Sequence, residues 1–376
     1  MKILITGGAG FIGSSLALDL ISRGHSVRVM DNLSPQIHGD DQSVSPTLLR
    51  IKDKVELVIG DVRNREDWQK VLPEMECVVH LAAETGTGQS MYEVHHYMDA
   101  NIGGTAHLLD LLDNEGAAVK KLIIASSRAI YGEGKYVDDE GRTHFPVSRF
   151  EDNLKQGLYN PTFNGKELHS VPTTEDSPFV PTSIYGLSKQ VQEQMVLLAA
   201  RTRNISAFAL RYQNVYGPGQ SLKNPYTGII SIFSKLLLTN KAINIFEDGE
   251  ESRDFVFIDD VVEATRLAIE FEDSTAIESL NVGNGVATSV NTIAQTLKGL
   301  YGSSSELTIS GNYRLGDIRH NTADLNQIKK RLNYVSKVGI DQGLEKFADW
   351  VKTQHIGDDN SYEESLNELK EKKLFK

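Results

Sequence analysis

A single cysteine in 376 residues, Cys77, leaves this chain without an internal disulfide and without the several thiolates a cysteine-built metal site would need. It lies in the apolar run Cys77-Val-Val-His-Leu81, where a buried strand residue in a reducing, cytoplasmic protein is expected. No uninterrupted apolar run approaches the roughly 20 residues of a membrane span, so no membrane partner is expected. The opening Met1-Lys2-Ile-Leu is too short for a secretory apolar region before it meets glycines, and no signal peptide is expected. An excess of basic charge is also missing. With 39 Lys and Arg against 51 Asp and Glu, the net charge of −12 argues against a nucleic-acid partner held by a broad basic surface. A small anionic ligand stays open, because a few arginines and a helix N-terminus suffice to hold one. Neither an internal repeat nor a low-complexity block is found. What is present is ordinary for a globular enzyme: 40% hydrophobic and 24% charged residues, in a length that suits one large domain or two.

Short apolar strands alternate with helical stretches in the first half. Strand patterns fall at 2–6, 26–30, 55–59, 77–81 and 121–125, and helical periodicity at 11–23, 65–71, 93–112 and 184–203. Such alternation predicts the α/β class, a doubly wound parallel sheet of the Rossmann kind with right-handed crossovers. Residues 205–211 read as a further strand of that sheet. The regularity breaks at 134–181, where Asn160-Pro and Asn164-Gly mark turns and no periodicity is sustained; this is a long insertion, functional or built from small elements of its own. The expected division is a dinucleotide-binding domain over 1–215, including that insertion, and a smaller α/β substrate lobe over 216–355, parts of which can return to the sheet. Residues 356–376 are highly charged and are expected as a solvated helix or frayed end.

The chain opens Lys2-Ile-Leu-Ile-Thr-Gly7-Gly-Ala-Gly10-Phe-Ile-Gly13, a strand, a glycine turn and a helix start. Gly7 allows the tight turn, Gly10 lets a pyrophosphate approach the backbone, and Gly13 lets helix and strand pack closely. Free N–H groups and the dipole at the helix start then favour phosphate. Asp31 ends the second strand at about the 20-residue separation expected of an acid that grips the adenosine ribose. Its carboxylate would repel a 2′-phosphate, and no Lys or Arg follows in Asp31-Asn32-Leu-Ser-Pro, so NAD is favoured over NADP.

Further along, Tyr185 and Lys189 stand four apart in a helical stretch and therefore share one face. An ammonium beside the phenol is expected to favour phenolate and bring a group of pKa about 10 towards use as a base. Ala125-Ser126-Ser127 ends the fifth strand, and ligands in doubly wound sheets lie beyond the strand carboxyl ends. Ser127 is positioned to hydrogen-bond the oxygen that Tyr185 deprotonates; serines there can also simply satisfy local backbone. The loop Glu84-Thr85-Gly-Thr87-Gly-Gln89-Ser90 offers hydroxyl and amide partners, with Thr85, Gln89 and Ser90 as candidate substrate contacts, or a helix cap as the plainer use.

Taken together, these motifs resemble the extended short-chain dehydrogenases/reductases, in the branch of NAD-dependent nucleotide-sugar epimerases and dehydratases, over roughly residues 1 to 355. The resemblance implies that Phe11 and Ile12 in the glycine turn, Asn32, Asp61 and Val62, and Leu81-Ala82-Ala83 join the cofactor site, with Tyr185 and Lys189. It implies Ser127, Tyr185 and Lys189 as the catalytic set. The segment Leu210-Arg-Tyr-Gln-Asn214 resembles the one whose Asn touches the sugar nucleotide. Arg253-Asp-Phe-Val and Arg314-Leu-Gly-Asp317 resemble the motifs whose arginines hold the pyrophosphate and whose Asp helps at the ribose. A homodimer through the helices at 93–112 and 184–203 is implied likewise.

The residues after Ser127 narrow the chemistry. Relatives that eliminate water carry an acid pair there, and sugar-acid decarboxylases a Glu; here stand Arg128 and Ala129. Ala129 cannot move a proton and Arg128 stays protonated. The triad with NAD then suffices for removal and return of hydride at one sugar carbon, usually carbon 4, which is epimerisation. Among subgroups, the loops around 84–92, 126–135 and 211–221 most resemble the bacterial dTDP-L-rhamnose 4-epimerases. Some relatives carry cysteine pairs in the long insertion; none occurs between 134 and 181, so no metal site is expected. A 4-dehydrogenase or reductase, a 2-epimerase, and a non-catalytic dinucleotide sensor stay open on sequence. A binding titration should give at least about tenfold weaker affinity for NADP than for NAD; tighter NADP binding would overturn the assignment of Asp31.

Overall fold

The computed structural model describes residues 1–114, 118–224, 226, 228–355 and 361–376. Seven strands form one sheet: β1 (Lys2–Thr6), β2 (Ser26–Asp31), β3 (Glu56–Ile59), β4 (Cys77–His80), β5 (Lys121–Ser127), β6 (Ser206–Tyr212) and β7 (Ile277–Val282). Their order is β7-β6-β5-β4-β1-β2-β3, and every neighbouring pair runs parallel. The order reverses between β1 and β4, which places the ligand crevice of a doubly wound sheet over the ends of those strands. The strand centres are largely apolar because both faces are covered. Alternate residues serve opposite cores: Ile3, Ile5, Val79, Ile123 and Phe208 pack into one cluster, while Leu4, Val78, Leu122, Ile124 and Ala209 pack into the other.

The helix at 184–203 forms as its periodicity predicts, as α2 (Ile184–Arg203), preceded in the chain by α1 (Phe11–Ser22). Ser183 caps α2 by accepting the Gly186 N–H at 3.0 Å, and Asn204 ends it in the left-handed conformation. The stretch 93–112, expected as one helix, is instead Val94–Met98, a π-turn at Asp99–Gly103, and Gly104–Leu111. The π-turn carries Asn101 inward, where its side-chain oxygen accepts the Glu84 N–H at 2.8 Å and its amide donates to Ser188 Oγ at 2.8 Å. Residues 134–181 are ordered by short pieces: two-residue strands, the helix Glu151–Lys155 and a hairpin of Thr162–Phe163 with Lys166–Glu167.

The C-terminal tail corrects the sequence expectation of a solvated or frayed end. Ser361–Glu371 is a helix, α3, with Ser365 and Leu369 buried; after it Phe375 is buried and bridges to Arg314. Two further backbone bonds clamp this end, Leu315 N–H to the Leu374 carbonyl at 2.9 Å and Lys376 N–H to the Tyr313 carbonyl at 3.0 Å. Counting its charges hid the inward stripe at Tyr362, Ser365, Leu366 and Leu369, spaced at helical period.

Behind the strand ends lies a buried ion pair. Arg211 on β6 donates to Glu193 on α2 at 2.6 Å, and both side chains are almost wholly buried. Glu193 also accepts from Ser126 on β5 at 2.5 Å and from Ser279 on β7 at 3.0 Å, while Arg211 donates to the Tyr131 hydroxyl at 2.6 Å and the Glu175 carbonyl at 2.8 Å. The pair therefore joins three strands to the helix that carries Tyr185. Glu193→Gln leaves Arg211 buried without its counter-charge and should destabilise the fold by about 3–5 kcal/mol in denaturant unfolding. Unchanged stability would mean that the pair is dispensable.

Candidate active site

One cavity of about 1090 Å³ runs over the carboxyl ends of the strands. It is lined by Gly7, Gly10, Phe11, Ile12, Gly13, Asp31, Asn32, Asp61, Val62, Leu81, Ala82 and Ala83 along one part. Thr85, Ser127, Tyr185, Lys189, Asn214, Arg253, Arg314 and Asp317 line the rest. Of the residues singled out from sequence, only Gln89 and Ser90 lie off this wall. They are buried behind it: Ser90 Oγ accepts the Tyr185 N–H at 3.0 Å, and Gln89 accepts from the Tyr97 hydroxyl at 3.0 Å. Ser90 thus anchors the backbone of Tyr185.

The glycine turn fits a dinucleotide. Gly7 has φ of +66°, and a Cβ on it would stand 2.8 Å from the Ala82 nitrogen. A Cβ on Gly13 would stand 2.4 Å from the Gly7 carbonyl oxygen, so helix and turn pack at a distance only glycine permits. No side chain caps α1 and its first turn holds no acid, which leaves its N-terminal N–H groups for phosphate. Arg50, which sequence reading passed over, braces that turn by donating to Ser14 Oγ at 2.5 Å and Ser15 Oγ at 2.7 Å. Its sequence neighbourhood carries no motif. Asp31 is fixed by the Ala9 and Leu33 N–H groups, each at 2.9 Å, and retains free lone pairs for a ribose. Burial raises the Asp61 carboxyl, but Arg63 and Asn32 outweigh it and bring the group down to about 2.

At the catalytic end, Ser127 caps the turn Arg128–Tyr131 by accepting the Ala129 N–H at 3.1 Å, and its hydroxyl also bonds the Tyr185 phenol. Lys189 is buried, with its Nζ donating to Gln192 Oε1 at 2.9 Å, and burial pushes its pKa down to about 7. Gln192 passes the chain on to Thr105 at 2.8 Å, which stands 3.1 Å from His80 Nε2; His80 Nδ1 stands 2.7 Å from Thr6 Oγ1. Because Thr105 spends its own proton on the Asn101 carbonyl at 2.6 Å, His80 carries its proton on Nε2. Burial lowers His80 to about 3, so the ring stays neutral.

The expected lowering of Tyr185 by Lys189 meets an opposing effect. In the protein alone burial raises the Tyr185 phenol, and the influences that lower it are the Ser127 hydrogen bond and the charge of Arg128.

The far wall is polar and unsatisfied. Asn214 Oδ1, Gln220 Oε1, Asn244 Oδ1 and Arg314 Nε all belong to cavity residues and are buried without a hydrogen-bond partner, and both side-chain polar atoms of Gln213 are too. Such atoms are costly unless a ligand meets them. Burial would raise Asp317, but Arg314, Arg253, Arg149 and Arg128 hold it well below the usual carboxylate range. Arg253, expected to face a pyrophosphate, spends its donors within the protein: on the Ser252, Arg319 and Ile318 carbonyls and on Asp317 at 2.9 Å. Helix α3 closes this end, with Tyr362, Ser365, Leu366 and Leu369 on the cavity wall. Its Glu368 accepts from Tyr226 at 2.9 Å, and Tyr226 stands 3.0 Å from the Tyr92 hydroxyl.

Comparison with known proteins places these features in context. Residues 3–151 and 162–283 match the family model of the NAD dependent epimerase/dehydratase family. The chain is 38% identical over 352 residues to dTDP-L-rhamnose 4-epimerase of Burkholderia thailandensis, covering 93% of this chain and 94% of that protein. It is 30% identical to a putative UDP-glucose 4-epimerase of Methanocaldococcus jannaschii, covering 94% and 99%. Among solved structures it is similar to UDP-glucose 4-epimerase of Thermotoga maritima with UDP-glucose (TM-score 0.76, 30% identity, 94% and 99% covered). A second is UDP-glucuronic acid 4-epimerase of Bacillus cereus in complex with UDP-glucuronic acid and NAD (TM-score 0.76, 27% identity, 94% and 100% covered). Removing residues 356–376 should uncover the wall formed by α3 and loosen the segment that carries Arg314. The expected result is a KM for sugar nucleotide raised at least about tenfold with NAD affinity retained in calorimetry; an unchanged KM would show that α3 plays no part in binding.

Proposed function

The chain belongs to the NAD-dependent epimerase/dehydratase family, and from that premise we propose that it epimerises a dTDP-6-deoxyhexose at carbon 4, as a dTDP-L-rhamnose 4-epimerase would. The observation that carries this reading is the composition of the catalytic end. A hydroxyl, a phenol and an ammonium meet there from Ser127, Tyr185 and Lys189, while the two positions after Ser127 hold Arg128 and Ala129 and offer no carboxyl for elimination. The similarity to the Burkholderia protein over 93% of the chain supports the choice of sugar.

In this reading residues 1–215 hold NAD and 216–355 hold the sugar nucleotide. The glycine turn and α1 meet the pyrophosphate of NAD, Asp31 the adenosine ribose, and Asp61, Val62 and residues 81–83 the rest of the cofactor. Bound NAD supplies the hydride acceptor for oxidation of the sugar and the donor for its reduction. Tyr185 Oη takes the proton of the carbon-4 hydroxyl and gives it back after the flat ketone has presented its other face. Ser127 Oγ holds the same oxygen in place. Lys189 and its hydrogen-bonded chain fix the polar floor under Tyr185. Asn214 Oδ1, unpartnered in the wall, is offered to the sugar, and Arg314 to the diphosphate. Outside the site, Leu187, Leu198 and Val94 are exposed apolar residues on the helices expected to pair, and a homodimer through them belongs to the reading. A cytoplasmic setting belongs to it too, since the lone thiol of Cys77 is free and buried, which pushes it up to about 12.

Incubating the protein with dTDP-L-rhamnose and related nucleotide sugars, without added reductant, should yield the carbon-4 epimer and no net NADH. Stoichiometric NADH would instead identify a 4-dehydrogenase and overturn the epimerase reading. Tyr185→Phe should cut conversion by at least about a hundredfold while NAD stays bound; retained activity would remove Tyr185 from its role as base.

A further inference from the structure

Four guanidiniums line the cavity, from Arg63, Arg128, Arg253 and Arg314. Three are paired with a carboxylate. Arg63 grips Asp61 at 2.7 and 3.0 Å, Arg253 is spent on three carbonyls and Asp317, and Arg314 pairs with Asp317 at 3.3 Å while lying over the Phe246 ring. Among the described residues Arg128 makes no hydrogen bond and no ion pair, so all five of its donors are uncommitted. A partly buried cation without a partner is unfavourable by itself and becomes favourable when an oxygen-rich or anionic ligand arrives. Its place is fixed by the Ser127 cap on the turn Arg128–Tyr131. Its electrostatic neighbours are Tyr185 towards the catalytic end and Arg253 and Asp317 towards the phosphate-binding wall, with Glu133 behind. It therefore lies within electrostatic reach of both Tyr185 and Asp317, in the cavity that all three line.

We propose that Arg128 is a catalytic residue: its guanidinium donates hydrogen bonds to the bound sugar nucleotide between carbon 4 and the diphosphate, and its charge stabilises the Tyr185 phenolate that accepts the hydroxyl proton. This rests on the reading of the site given above. In the proton step the sugar O–H bond breaks, a phenol O–H bond forms, and the negative charge passes from Tyr185 to the sugar oxygen, both within reach of one cation. The groups facing Tyr185 are Ser127 and Arg128 from the fifth strand and its turn, Lys189 on its own helix, and Tyr97 from the helix Val94–Met98. Of these, Tyr97 is held neutral, chiefly by burial, and Lys189 donates to Gln192. Arg128, pushed down to about 10 by burial and by Arg253, stays cationic at neutral pH and makes no such bond.

The test uses full-length Arg128→Met and Arg128→Lys, with folding checked by circular dichroism and NAD affinity by calorimetry. Ionisation of Tyr185 is read as tyrosinate absorbance, each protein minus its own Tyr185→Phe counterpart. Removing the charge disfavours phenolate, so the midpoint should rise by about one pH unit in Arg128→Met, a tenfold change in ionisation constant, and largely return in Arg128→Lys. The acidic limb of kcat/KM should move upward by the same amount, KM for sugar nucleotide should rise at least about tenfold, and NAD affinity should hold. A bystander would leave the midpoint and the limb in place. An unchanged midpoint in folded, NAD-binding Arg128→Met overturns the proposal. If Arg128→Met does not fold, Arg128→Gln, which keeps donors without charge, decides by the same midpoint. Failure of the epimerase reading would be recognised separately, as wild-type protein that converts no nucleotide sugar, and the tyrosinate difference would still decide the role of Arg128.

Discussion

The active-site helix is held to the sheet by buried polar groups, and the rest of the site depends on that attachment. An apolar contact between α2 and the sheet would leave the helix free to slide by small amounts, since such packing is non-directional. The Glu193–Arg211 pair is directional. It fixes α2 to β5, β6 and β7 at a point two turns beyond Tyr185, with Ser126 and Ser279 completing the carboxylate's shell. The chain from Lys189 through Gln192, Thr105 and His80 to Thr6 does the same towards β4 and β1. Between them they set where Tyr185 meets Ser127. The desolvation these charged and polar groups suffer is repaid in registration of a phenol and a hydroxyl that arrive from different parts of the chain.

The electrostatics of the cavity follow from how its cations are partnered. Asp317 gathers Arg253 and Arg314 and is held far into its ionised form by them. That arrangement orders the two arginines before any ligand arrives, which reduces the side-chain entropy a diphosphate would otherwise have to overcome. Lys189 lies at the opposite extreme, buried without a carboxylate partner, and burial lowers it to about 7.

Much of this was legible before any coordinates. The glycine turn, Asp31, Ser127, Tyr185 and Lys189 are read from residue type and spacing because backbone geometry and the i, i+4 rule act locally, and they do line one cavity. Helix α2 kept the boundaries its periodicity predicts. Three things escaped for physical reasons. The π-turn at Asp99–Gly103 arises from tertiary bonds made by Asn101, which no local propensity encodes. The polarity of Gln89 and Ser90 suggests that they face a sugar, yet they turn inward to hold Tyr97 and Tyr185. Arg50 has no motif around it, and its value lies in reaching 36 residues back to the first turn of α1.

The tail carries the most instructive difference, because its charges and its apolar stripe say opposite things. Glu364, Lys370, Glu371, Lys372 and Lys373 face solvent while Leu369 packs against Gly88, with a Cβ there only 3.3 Å from a leucine methyl. Gly88 belongs to the loop whose Ser90 anchors Tyr185, so the apolar cover reaches the same loop that positions the base. The unsatisfied Asn214, Gln220 and Asn244 atoms line the cavity that this helix closes. In the proposed reaction the two features serve different ends. A ketone that must be reduced again before it escapes benefits from a cover that excludes water at the reacting end, while a nucleotide diphosphate needs polar partners along its length. The cover is tied to the segment bearing Arg314 by Tyr313, Leu315 and their partners at 374 and 376. Opening the cavity at α3 would therefore also disturb Arg314, the residue proposed to meet the diphosphate.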